Sequence, residues 1–161
     1  MPKRLGFTLI ELLIVITIIA ILSAIALVAY TSFIKNARDA KRKTDANFIQ
    51  TALEQYHADQ HKYPVSGSGE CPATEDEDGK LKFGCSLTST DGSKKYLSTM
   101  PQDSISTNGA YQYTPLPSEC DNETTDCNSY CLFMQMENSS NGKTVSGCAV
   151  SSPHNFSITR P

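Results

Sequence analysis

The sequence has no tryptophan, no cysteine before Cys71, and no proline or glycine between Phe7 and Tyr63. Between Phe7 and Ile34 it has a single charged residue, Glu11. Each absence excludes something. A long stretch without Gly or Pro is not a series of strands and turns, because those residues punctuate such a series. A stretch with one charge is not the exposed face of a soluble helix. With no Cys in the apolar part, every thiol lies beyond residue 70.

What is present begins with a short polar start, Met1-Pro2-Lys3-Arg4-Leu5, running into Gly6. From Phe7 to Tyr30 the chain is almost wholly apolar, and only Thr8, Glu11, Thr17 and Ser23 interrupt it. About 20 residues at 1.5 Å each cross a bilayer as a helix, so this run predicts a transmembrane segment. Glu11 does not belong in it. A carboxylate at mid-membrane costs roughly 3 kcal/mol on insertion scales, which makes Glu11 a functional candidate. A secretory signal would use Ala24-Ile25-Ala26 as its cleavage site. Its apolar region would normally be about 7–15 residues, shorter than this one, and would not hold an acid. A plain anchor gives Glu11 no role. Basic residues flank the run on both sides, with Lys35, Arg38, Lys41, Arg42 and Lys43 following it, so charge counting does not orient the helix.

The order Lys3-Arg4-Leu5-Gly6 followed by Phe7-Thr8-Leu9-Ile10-Glu11-Leu12-Leu13 resembles the hallmark of the type IV pilin family, which includes the pseudopilins of type II secretion. The resemblance is specific over about the first 35 residues. It implies a leader, residues 1–6, that prepilin peptidase removes after Gly6, with methylation of the new terminus at Phe7. It implies that Glu11 pairs with that terminus in a neighbouring subunit. The implied partners are other pilin subunits, an inner-membrane assembly platform, and membrane lipid before assembly.

The net charge of −3 hides a segregation. Residues 30–63 carry six Lys and Arg against four Asp and Glu, and residues 64–161 carry six against twelve. An acidic second half is no nucleic-acid platform, since phosphate binding needs clustered cations. The basic cluster suits lipid headgroups or acidic patches on neighbouring subunits, and equally a solvated helix face. The six cysteines are Cys71, Cys85, Cys120, Cys127, Cys131 and Cys148. An even number in so short a region reads as a disulfide framework in an oxidising compartment, which places the second half outside the cytoplasm. Zinc would want tighter pairs than Cys127-x-x-x-Cys131. Sequence proximity favours Cys71–Cys85, Cys120–Cys127 and Cys131–Cys148 among the fifteen possible connectivities.

Residues 31–63 predict an amphipathic continuation of the helix. Phe33, Ala37, Ala40, Phe48, Ala52 and Tyr56, with Ile49 and Leu53 beside them, recur at three- and four-residue spacing. The opposite, solvent-facing side is expected to carry Arg38, Lys41, Arg42, Asp45, Gln50, Glu54 and Gln55. His57 and His61 have metal-ligand spacing, but they read better as polar residues at a helix C-terminus. Pro64 stops the helix.

Residues 64–161 predict a small head of three or four antiparallel strands. Lys80 to Leu87 is a candidate short strand. Tyr111 and Tyr113 have the spacing of one inner strand face. Tyr130 to Glu137 alternates well, Asn141-Gly142 signals a turn, and Thr144 to Val150 is the expected returning strand. Asp76, Asp78 and, from the resemblance of Pro101-Gln102-Asp103 to a pseudopilin loop, Asp103 are candidate calcium ligands. A solvated acidic loop is the favoured reading of the first two. Triplets at Asn122, Asn138 and Asn155 fit a glycosylation pattern that a polar head produces by chance. No nucleophile elbow or phosphate loop is present, so an enzyme is not expected and no cofactor is implied.

The expected fold is α+β and pilin-like. One long N-terminal helix has a transmembrane first half, residues 7–30, and packs against a disulfide-stabilised antiparallel head, residues 64–161. The expected function is a structural subunit, pilin or minor pilin, of a type IV pilus or pilus-like filament. It would start in the inner membrane with its head outside the cytoplasm and end in an extracellular filament. The alternatives are a pseudopilin of a type II secretion or DNA-uptake system, and a membrane-anchored calcium-binding or adhesive surface domain.

Overall fold

A computed structural model describes residues 6–67, 80–103, 111–150 and 152–161. The chain divides into two units, one ending at Ala37 and one running from Arg38 to Pro161. A single helix, α1 (Leu9–Gln60), contributes to both. Its continuity follows from the missing Gly and Pro. It ends where His61 takes a left-handed backbone, φ 58°, and donates its N–H to the His57 carbonyl at 2.8 Å. That arrangement satisfies a terminal carbonyl that would otherwise be orphaned.

In the first unit, the apolar residues Leu9, Ile10, Leu12, Ile16, Ile21 and Leu27 of the helix are exposed. By length and composition, α1 is long and apolar enough to cross a membrane.

In the second unit, α1 is covered by a sheet of three antiparallel strands in the order β3 (Gln112–Leu116), β4 (Ser129–Met134), β5 (Phe156–Thr159). A two-stranded ribbon, β1 (Leu87–Thr88) with β2 (Lys95–Leu97), lies apart from it in the pairing order. Tyr113 pairs with Leu132, and Leu132 with Ile158, so these side chains share the inner face. Ile49, Leu53 and Tyr56 of α1 meet Tyr113, Tyr130, Leu132 and Met134 in one core. Tyrosine does the work of the absent tryptophan. Tyr130 packs edge-on to Tyr63 at 4.8 Å and stacks with Tyr113 at 5.9 Å. Their hydroxyls stay satisfied: Tyr113 donates to the Pro64 carbonyl at 2.7 Å, and Tyr63 donates to Glu54 at 3.0 Å. Burial and the Glu54 carboxylate push the Tyr63 phenol up to about 12.

Four expectations are corrected. The buried stripe of α1 is Asp39, Arg42, Ala46, Ile49, Leu53 and Tyr56, whereas Phe33 and Phe48 are 68% and 57% exposed. Hydrophobic spacing placed Ile49, Ala52, Leu53 and Tyr56 correctly and failed at Phe33, Ala37, Ala40 and Phe48, which are exposed. It also assigned Arg42 and Asp45 to solvent, and both are buried. The Thr144–Val150 segment is not a strand, and β4 pairs instead with β5. Asn141-Gly142 closes no two-residue hairpin, because such a turn needs positive φ at its central residues and Gly142 has φ −64°. The segment is a 3-10 turn, Ser139–Asn141. Of Lys80–Leu87, only Leu87 lies in a strand, β1, and Leu81 forms an isolated parallel bridge with Ser66.

Cys120 is bonded to Cys127, and Cys131 to Cys148. Cys85 is also disulfide-bonded, while Cys71 lies outside the described residues.

Candidate assembly segment and the ion cluster of the head

Gly6, Phe7, Thr8 and Glu11 form one local arrangement in the first unit. Thr8 is the residue before the first helical position, and Glu11 is the third residue inside α1. The Thr8 N–H and Thr8 Oγ1 each donate to Glu11 Oε2 at 2.8 Å. The Glu11 N–H donates back to Thr8 Oγ1 at 3.4 Å. This is a reciprocal capping box, in which each residue satisfies an amide that the helix leaves orphaned. The acid also lies at the positive end of the helix dipole. Phe7 is 94% exposed, and a Cβ built on Gly6 meets nothing within 4 Å. Among the described residues, nothing packs against Gly6, and Phe7 is exposed. The sequence reading singled out Glu11 and missed Thr8. The signal was there, since Thr-x-x-Glu before an apolar run is a helix-start signature.

The second unit holds a cluster that sequence reasoning did not find. Asp39 is fully buried and accepts four hydrogen bonds. The Glu137 and Asn138 N–H groups donate at 2.8 and 3.0 Å, Asn141 Nδ2 at 2.9 Å and Arg42 at 3.0 Å. Burial works against its charge, yet these four donors prevail and hold its carboxyl below the ordinary range. Arg42, 4% exposed, also grips Asp103 through two nitrogens, at 2.9 and 3.3 Å, and reaches Glu137 at 3.1 Å. Arg38 makes a two-pronged pair with Glu137, whose carboxyl is lowered chiefly by that hydrogen bond. Next along α1, buried Asp45 accepts from the Tyr111 hydroxyl at 2.8 Å.

These contacts decide several sequence-level candidates. Arg38 and Arg42 serve the head's own carboxylates, which leaves Lys35 and Lys41 as the exposed cations of the basic segment. Asp103, a candidate calcium ligand, has both carboxylate oxygens on Arg42. Asp76 and Asp78 lie outside the described residues. Among the described residues, no three His, Cys, Asp or Glu side chains converge on a possible metal position. His57 stacks on Tyr63 at 4.5 Å, and His61 ends the helix. The side-chain amides of Asn122 and Asn155 each bind backbone groups from both ends: Asn122 bridges Tyr63 and Cys127, and Asn155 caps both polar atoms of Met136. They are structural bridges.

The chain thus combines a helix of membrane-spanning length, whose first turn carries a capped acid, with a small disulfide-bonded head. The chain carries the prokaryotic N-terminal methylation motif, matched over residues 1–27. It is 37% identical over 62 residues to the type IV major pilin protein PilA of Myxococcus xanthus, a stretch covering 38% of this chain and 28% of that protein. It is 38% identical over 71 residues to a probable minor fimbrial protein of Dichelobacter nodosus, covering 44% of this chain and 45% of that one. Over these stretches the chain is similar to a type IV major pilin and a probable minor fimbrial protein. The chain spans less than half the length of either relative. No solved structure matches it.

Proposed function

We propose that the chain is a structural subunit of a type IV pilus or pilus-like filament, working by assembly and not by turnover. The observation that carries this reading is Glu11: one acid, capped by Thr8, in the otherwise apolar first part of α1. A peptidase cut after Gly6 frees a positive amine at Phe7, and methylation preserves that charge. Glu11 then lies four residues from the new terminus. In a staggered array, the amine of an incoming subunit meets the Glu11 of one already in place. Two unit charges at 4 Å attract by about 4 kcal/mol at an effective dielectric near 20, before desolvation is subtracted. Both bonds from Thr8 go to Oε2, so Oε1 is the natural acceptor for that amine. The apolar helix exchanges lipid for the same helices of other subunits, and the heads form the outer layer. The precursor sits in the inner membrane with the head outside the cytoplasm, where disulfides persist.

Intact-mass analysis of the mature protein tests the processing step. The expected chain starts at Phe7 and carries an added methyl group. A chain starting at Leu27 would establish a secretory signal and remove the anchor.

A further inference from the structure

We propose that Asn141 is a spontaneous deamidation site held in check by its contact with Asp39. The packing fixes an Asn-Gly pair at this turn. Asn141 supplies the Nδ2 donor that reaches buried Asp39 at 2.9 Å. Position 142 has room only for glycine, because an added Cβ would stand 2.9 Å from the Asn155 carbonyl oxygen and 3.2 Å from that of Ser139. The resulting pair is prone to ring closure, since no side chain shields the Gly142 nitrogen. In the reaction, Gly142 N attacks Asn141 Cγ and gives up its proton. The Cγ–Nδ2 bond breaks, and ammonia leaves with that proton. Water then opens the succinimide to aspartate or isoaspartate. The net change is amide plus water to acid plus ammonia, and no other reactant is needed.

The folded head restrains both reacting groups. The Gly142 N–H is donated to the Ser139 carbonyl at 3.1 Å. The Asn141 amide is held on one side by Asp39 and on the other by Lys43, whose Nζ donates to Oδ1 at 3.4 Å. Ring closure therefore requires the turn to leave Asp39. Once it has occurred, residue 141 presents a carboxylate to a buried carboxylate, and like charges at that separation do not both stay ionised. The conversion thus marks, irreversibly, subunits in which the 137–141 segment has come away from α1.

The test follows residue 141 in the full chain, in detergent micelles at mildly alkaline pH, by peptide-mapping mass spectrometry that resolves aspartate from isoaspartate. Asn141 in the folded parent stays amidated over a period in which the denaturant-unfolded chain converts. Asp39→Ala converts faster than the parent by on the order of tenfold or more, the factor expected from losing a hydrogen bond to a charged group. Equal rates in parent, unfolded chain and Asp39→Ala overturn the proposal. If Asp39→Ala does not fold, Asn141→Asp supplies the product directly. Hydrogen exchange at the Glu137 and Asn138 amides, which donate to Asp39, then speeds up. Unchanged protection there overturns the claimed consequence.

Discussion

Thr8 and Glu11 cap each other across the first turn of α1, with the Glu11 carboxylate accepting from both the N–H and the hydroxyl of Thr8 at 2.8 Å. The acid proposed to recruit the next subunit is therefore held in one rotamer before that subunit arrives. In lipid, where no water completes the first turn, such a cap also satisfies amides that would otherwise be orphaned.

Thr8→Val keeps the shape of the side chain and removes the hydroxyl. A lost helix N-cap costs about 1 kcal/mol. Membrane-fraction levels should stay near parental, and the amount in sheared filaments should fall by roughly fivefold, the factor for 1 kcal/mol at room temperature. Thr8→Ser restores the hydroxyl and should restore incorporation. Parental incorporation by Thr8→Val would show that the cap does not position Glu11.

Arg42 binds three carboxylates from three parts of the chain: Asp39 on α1, Asp103, and Glu137 after β4. Removing one partner leaves buried charge uncompensated, at about 3–5 kcal/mol. Arg42→Leu should lower the unfolding free energy of the head by that amount in a urea titration of the full chain in detergent. Lys41→Leu, at an exposed position on the neighbouring residue, should change it by less than about 0.5 kcal/mol.

The same cluster sets an acid limit. Asp39 and Glu137 have carboxyls lowered in the folded state, so the folded state holds fewer protons than the unfolded chain as pH falls. Their contribution is fully present above the ordinary carboxylate range, roughly pH 4, and is lost progressively below it. The melting temperature should therefore be flat from neutrality to about pH 5 and drop steeply beneath pH 4. In Asp39→Asn the acid-side slope should be shallower. An unchanged slope would remove Asp39 from the cause.

The disulfides should differ in weight. Cys120–Cys127 closes a separation of 7 residues and Cys131–Cys148 one of 17. On a loop-entropy account they contribute about 2.5 and about 3 kcal/mol. Double serine replacement of each pair, followed by denaturant titration, checks the order. Mass mapping under non-reducing conditions checks the pairing, and Cys71–Cys85 should be recovered with them.

Glu11 was legible because a single acid in a long apolar run stands out in one dimension. Thr8 was equally legible as the start of a Thr-x-x-Glu signature and was passed over as a mere interruption. The ion cluster was not legible. Hydrophobic periodicity assigns charges to solvent, and Arg42 finds Glu137 across a sequence separation of 95. Its burial depends on partners that no local pattern reveals. The last hairpin misled for a related reason. Asn141-Gly142 has the composition of a tight turn, but here the glycine is present for lack of space at Asn155 and Ser139, not for a left-handed backbone. Alternation found the inner residues Tyr113, Leu132 and Met134, but it did not show that Cys131 and Phe133 on the other face of β4 are buried as well, against Cys148.

The central claim is that Glu11 drives assembly and is not needed for folding. Its most direct measurement is the amount of Glu11→Ala protein in sheared filaments, normalised to its level in the membrane fraction. The account predicts a folded, disulfide-bonded head, parental membrane levels and a sharp loss from filaments, with Glu11→Asp intermediate because it keeps the charge and shortens the reach. Filaments that contain Glu11→Ala as abundantly as the parent would contradict it.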